Sequence, residues 1–211
     1  MTKTLAVTWR FPESYWLPLW EAYYTPQVDE VQMWHSDEDL TALEQGRVFT
    51  KRINESLPDL LEEFDAVIIA SNDEFIIPDP DKYQGLREYI GAHPQAVCRT
   101  TGFNVVTLEG DPPLDISRKI TDQRSHWYYD KWYSKPSITR TPVHYISGWH
   151  FCNKKVKPDP DLILMHLREA NLEVLMRYCP ERLPARKRKF DFDYEERIKQ
   201  AVPIPEKWRV I

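Results

Sequence analysis

The stretch Phe64-Asp65-Ala66-Val67-Ile68-Ile69-Ala70-Ser71-Asn72-Asp73-Glu74-Phe75-Ile76-Ile77-Pro78 decides the fold. Its first six residues, apolar and β-branched with one acidic flank, read as a buried strand of an α/β sheet. Two adjacent carboxylates, Asp73 and Glu74, fall where that strand ends, which is where open α/β sheets gather their ligands. A carboxylate pair inside an otherwise apolar run is costly to bury unmatched, so a metal ion or a cationic side chain is expected against it. The bland alternative is a strand that surfaces into a turn.

Toward the N-terminus, Thr4 to Trp9 reads as a first strand. Tyr15 to Tyr24 places Trp16, Leu19, Trp20 and Tyr23 at helical spacing, and Val28 to Trp34 reads as a second strand. Ser56 as N-cap with Pro58 soon after predicts a short helix over 56–64 leading into the central strand. Strand, helix, strand, helix, strand is the order of a nucleotide-binding α/β half-domain. Toward the C-terminus, the Pro78-Asp79-Pro80-Asp81 break predicts a helix from about Lys82 to Ala92. A long strand over 96–107 follows, in which Gly102 marks a bulge or a close approach. No regular period survives from Glu109 to Lys135. Within it, 117–136 interleaves basic and aromatic side chains densely enough to suggest a segment folded over the sheet or over a ligand.

The chain has 211 residues, a length that favours one compact domain. Its net charge of −5 argues against general nucleic-acid binding, without excluding a local basic groove. No apolar run approaches the ~20 residues of a membrane span, and no secretory signal is visible. Three cysteines, Cys98, Cys152 and Cys179, are widely spaced and without a CxxC. They predict reduced thiols and a cytoplasmic protein. There is no P-loop, GxGxxG or HExxH. The segment 181–211 is predicted to be a charged extension packing on a domain that spans 1–180. Its basic run, Arg186 to Lys189, reads as a solvated face or as a grip on a polyanionic acceptor.

Apolar strand, Ser71-Asn72-Asp73-Glu74-Phe75-Ile76, then proline resembles the strand-plus-acidic motif of GT-A-type glycosyltransferases related to family 2. Ser-Lys-Pro-Ser-Ile at 134–138, Gly148-Trp149-His150 and the apolar run ending in His166-Leu167 resemble later elements of the same group. Ser71 departs from the pattern, in which that position is an Asp. The resemblance implies a single GT-A-like, Rossmann-like α/β domain with a mostly parallel mixed sheet flanked by helices and an irregular C-terminal half. It further implies transfer of a sugar from a nucleotide-sugar donor to a glycan or other hydroxyl acceptor, assisted by Mn2+ or Mg2+.

Carried onto these positions, the metal role passes to Asp73, with His150 as its expected partner and His166 competing for that place. Donor contacts pass to Ser71 and Asn72, with Thr8 and Arg10 at the end of the first strand. Lys131 and Lys135 are the diphosphate candidates, Lys135 preferred. Glu74, Asp115 and Asp130 each remain candidates for the base that an inverting reaction needs. Arg99, Phe103 and Asn104 are placed beside the acceptor. Two other readings share these residues: a catalytically silent carbohydrate- or nucleic-acid-binding protein, and a glycosyltransferase acting on modified bases in DNA.

Overall fold

The computed structural model describes residues 2–10, 15–35, 42–146, 148–177 and 194–211, with the backbone alone at Arg10, Ala42, Leu43 and 175–177. The half-domain expected from the sequence is present. Strand β1 (Thr4–Arg10) lies between β2 (Glu30–His35) and β3 (Ala66–Ile69), parallel to both, with α1 (Leu17–Tyr24) and α2 (Ala42–Glu63) as the crossovers. Side-chain alternation then divides the layers. Ala6, Ala66 and Ile68 pack toward Trp16, Trp20 and Tyr24 at α1. Leu5, Val7, Trp9, Val67 and Ile69 pack toward Phe49, Ile53 and Leu57 of α2.

The second helix corrects the short one predicted over 56–64. It begins at Ala42 and carries Pro58 in its interior. Pro58 lacks the amide that would bond the Asn54 carbonyl, a loss a 22-residue helix packed along one face can bear.

The chain continues as β4 (Glu74–Pro78), α3 (Leu86–Ala92), β5 (Val97–Val106), the single-turn α4 (Ile120–Gln123), β6 (His126–Tyr129) and β7 (Pro136–Thr139). A small hairpin of β8 (Tyr145–Ile146) and β9 (Phe151–Cys152) precedes β10 (Pro158–His166), α5 (Leu172–Arg177) and β11 (Val202–Pro203). The main sheet runs β11-β6-β5-β7-β3-β1-β2, with β10 paired to both β5 and β4. It is mixed, and six of its nine strands point the same way, so β1, β3, β5 and β10 end at one edge. The fold is a Rossmann-like α/β domain.

Three expectations change. Residues 74–78 form a strand, because β10 supplies an antiparallel partner for a run that is apolar on both faces. The helix expected from Lys82 starts only at Leu86, after a turn in which Lys82 and Tyr83 donate their amides to the Asp79 carbonyl. Part of the aperiodic segment is regular after all, since β6 lies antiparallel on β5 and buries Trp127 against Phe103 at 4.2 Å between ring centroids.

Beyond α5, residues 202–211 return to the sheet. The amide and side-chain hydroxyl of Thr121 donate to the carbonyl of Ile211, and Ile204, Trp208 and Ile211 join the principal core. The basic run 182–189 lies outside the described residues.

Candidate metal centre

Three neighbouring strands bring the site together. In the register of β10 with β4, His166 lies opposite Glu74. In its register with β5, His166 lies opposite Asn104. Directly paired residues project to the same face, so Glu74, His166 and Asn104 meet there although the sequence separates them widely. Asp73 arrives from the turn between β3 and β4. That turn is closed by the Glu74 amide on the Ser71 carbonyl at 3.0 Å, and it is tied to β10 by the Leu167 amide on the Asp73 carbonyl at 2.8 Å.

Asp73, Glu74 and His166 each offer a ligand atom within 4.8 Å of the others, and all three are buried. Glu74 is already matched. Its Oε1 accepts from the Lys135 ammonium, and its Oε2 accepts from the Ser71 amide at 3.0 Å. Burial alone would keep Glu74 neutral, but Lys135 overcomes that and holds the carboxyl below its ordinary range. Lys135 is itself pushed down by burial, and its ammonium rests between the rings of Trp149 and Tyr133, 5.0 and 5.2 Å from their centroids. This is the cation expected against the acidic pair, and it takes only one carboxylate.

Asp73 differs. Burial opposes its charge, yet His166 when protonated, Arg168 and Lys135 together outweigh that and hold its carboxyl well below the carboxylate range. Arg168, half-exposed, points its Nε at Oδ2 from 3.4 Å. His166 Nε2 is 3.2 Å from the same oxygen but off the line of a hydrogen bond. Asp73 Oδ1 and His166 Nε2 are therefore buried atoms with no hydrogen-bond partner among the described residues. Such groups are rare enough in folded proteins to need an explanation, and an ion is one.

The other ring nitrogen of His166 is satisfied. Nδ1 meets Asn104 Oδ1, while Asn104 Nδ2 donates to Asp130 Oδ2 at 3.0 Å and to the Tyr128 hydroxyl at 2.9 Å. Tyr128 in turn donates to Glu169 Oε2 at 3.0 Å, and Arg197 closes the series on Glu169 Oε1 at 2.6 Å. Tyr133 stacks on the imidazole, 3.8 Å between centroids and 22° from parallel. It caps the centre from the 130–135 turn.

His150 lies elsewhere. Its Nδ1 donates to the Trp132 carbonyl at 2.6 Å, and its ring is separated from His166 by Tyr133. Of the two histidines considered from sequence, His166 is the one placed with Asp73, because β10 continues to the edge where β3 ends. Lys135 is buried in its ion pair rather than presented to a diphosphate, and Lys131 is exposed on the turn. Asp130 serves Asn104 and, through Oδ1, the Trp132 amide at 2.9 Å.

Thr8 is fully buried at the end of β1, with a hydroxyl that has no partner among the described residues. Asn72 reaches the Trp9 carbonyl at 3.4 Å, Ser71 is buried in the turn, and the Arg10 side chain lies outside the described residues. Arg99 donates to the Ser134 carbonyl and Phe103 packs on Trp127, so of the three acceptor-side candidates only Asn104 touches the centre.

Arg168, Tyr133 and Glu169 were not singled out from sequence. Arg168 and Glu169 directly follow His166-Leu167, and that adjacency was their available signal. Two surface hollows, about 510 Å³ beside Asn54 and His144 and about 420 Å³ beside Arg99 and Lys154, are lined by none of Asp73, Glu74 or His166.

No protein-family model, curated protein or solved structure matches this chain. Fold and site together define an α/β protein with a buried Asp-Glu-His group, able to hold a metal ion, at the edge where its co-directional strands end. No described helix is long and apolar enough to cross a membrane.

Proposed function

We propose that the chain is a nucleotide-sugar-dependent glycosyltransferase of GT-A type that works with a divalent cation, Mn2+ or Mg2+, held by Asp73 and His166. The observation that carries this reading is the pair of unpartnered buried atoms, Asp73 Oδ1 and His166 Nε2, at the strand edge. A carboxylate oxygen and a neutral imidazole nitrogen suit a Mn2+-like ion. Once bound, such an ion would act as a Lewis acid on a leaving diphosphate.

The remaining roles belong to the chain's own groups. Arg168, half-exposed beside Asp73, adds positive charge where a diphosphate would lie. Lys135 keeps Glu74 ionised and fixed, which shapes the turn instead of gripping the donor. Thr8, Ser71 and Asn72, grouped at the ends of β1 and β3, supply hydroxyl and amide groups for the nucleoside. Tyr133 shields the centre from water. Trp132, 53% exposed at the outer end of the series Trp132, His150, Tyr133 and His166, offers a flat face to the sugar of the donor or the acceptor.

Calorimetry with UDP and GDP tests the reading. Donor nucleotide should bind more tightly with Mn2+ than with EDTA, and Asp73→Ala should abolish the difference. An affinity indifferent to both the metal and the substitution sinks the reading.

A second reading, a silent carbohydrate-binding protein on the same fold, has one observation in its favour. Glu74, a candidate base, is occupied by its buried ion pair with Lys135. Donor-nucleotide hydrolysis screened across several divalent ions separates the two, since only the enzyme turns the donor over.

A further inference from the structure

The direction of every hydrogen bond behind His166 can be assigned without seeing a hydrogen, because the series ends in acceptors. An ionised carboxylate only accepts, so Asp130 Oδ2 fixes the side of Asn104 facing it as the NH2 group. Glu169, already accepting from Arg197, receives the proton of Tyr128, which leaves the Tyr128 oxygen to accept the second N–H of Asn104. Asn104 Oδ1 is then the amide's acceptor, and it faces His166 Nδ1, which must carry the proton. Nε2 of the neutral ring is left with its lone pair free, 3.2 Å from Asp73 Oδ2 but off the line of a hydrogen bond to it. An unpartnered imidazole nitrogen buried beside a carboxylate oxygen is a donor pair that a metal cation would satisfy.

From this geometry we infer that Asn104 is a positioning residue: locked by Asp130 and Tyr128, it holds His166 as the Nδ1–H tautomer and presents Nε2 to the ion. The inference rests on the proposed metal centre for its purpose, but the tautomer is a property of the metal-free chain. Asp130, a candidate base from sequence, becomes the residue that orients the amide. Through Glu169 and Arg197 the same series reaches residues 194–198, so the C-terminal segment supports the centre without touching it. Outer partners that fix a ligand histidine's tautomer are worth roughly 10–100-fold in metal affinity.

The experiment is long-range 1H–15N correlation of the imidazole in the metal-free chain, at a pH where the ring is neutral, combined with calorimetric titration of Mn2+ alone. His166 should show its proton on Nδ1 in the unmodified chain. Asn104→Leu should release it to the Nε2–H form or a mixture and weaken Mn2+ about 10-fold or more. The exchange Asn104→Asp with Asp130→Asn, which keeps an acceptor against Nδ1, should retain the Nδ1–H form.

A proton on Nε2 in the unmodified chain, or a tautomer that ignores Asn104→Leu, overturns the inference. Should Asn104→Leu fail to fold, Asp130→Leu on the less buried partner takes its place with the same readout. Failure of Mn2+ to bind the unmodified chain would sink the metal reading, while the tautomer lock would still be decided by the spectrum.

Discussion

Lys135 and Glu74 form an ion pair in which each side chain is 2% exposed, so neither charge has water to fall back on. Removing one partner strands the other, and breaking such a pair costs about 3–5 kcal/mol. Lys135→Met should therefore destabilise the chain by about that much in urea denaturation. Adding Glu74→Gln, which keeps an acceptor for the Ser71 amide, should restore more than half of it. A loss in the double variant equal to that in the single one would mean that packing, not charge, was removed.

His150 gives a second expectation at this scale. Burial, then the nearby Lys135, lowers its pKa from 6.5 to about 4. The unfolded chain therefore binds this proton more readily than the folded one, and the stabilisation present above pH 6.5 is lost progressively as pH falls toward 4. His150→Phe should flatten the stability profile in that window, and the imidazole C–H resonances should titrate with a midpoint near 4.

Asp73 was legible where the apolar run of the central strand meets polar residues, whereas His166 came only from the resemblance, as the competitor of the preferred His150. The sequence did not show which cation meets Glu74, since the two partners are 61 residues apart and only strand pairing brings them together. The same holds for Asn104, 62 residues from His166.

Elements were readable where their pattern was local. β1, β2 and β3 carry their own periodicity, whereas β4 and β6 exist only because β10 and β5 lie beside them. Residues 42–55 of α2 were missed because Ser56 and Pro58 imitate a helix start inside a longer one. Gly102 was readable as a place where backbone comes close, and what approaches is the chain itself. A Cβ there would lie 2.2 Å from the Tyr133 carbonyl carbon and 2.6 Å from the Ser134 nitrogen. The Gly102 carbonyl accepts the Asp130 amide and its own amide donates to the Ser134 hydroxyl, so strand and turn are fastened at that point.

Gly102→Ala should push the 130–135 turn outward, at a cost of about 1–3 kcal/mol from overpacking. Tyr133 would lift off His166 at the same time, so under the proposed function Mn2+-dependent donor binding should weaken along with stability. A variant that lost stability yet kept donor affinity would show that the cap over the centre is independent of this contact.

Across the whole molecule, the sheet is completed from its far end by the last residues described. β11 covers the outer side of β6, and Ile204, Trp208 and Ile211 fill the same core as Trp20, Phe75 and Trp127. Fully burying one large apolar side chain contributes roughly 1.5–3 kcal/mol. The three together rival the ~5–15 kcal/mol net stability of an ordinary domain. Removing residues 202–211 would also expose Trp127, the neighbour that fixes Phe103 on β5, and would take away the Ile211 carbonyl that receives both donors of Thr121.

Such a truncation should not leave a folded domain with a loosened tail. It should lower the free energy of a single cooperative unfolding transition by several kcal/mol, or prevent folding altogether, and any donor binding under the proposed function should disappear with it. Two separate transitions in the full chain, or a truncated chain that keeps its near-UV circular dichroism and binds donor nucleotide as before, would place these residues outside the cooperative unit. The Arg197–Glu169 pair predicts the single cooperative loss. It joins the segment that enters this final stretch to the hydrogen-bond series behind His166, so β6, β11 and the metal centre should lose their order together.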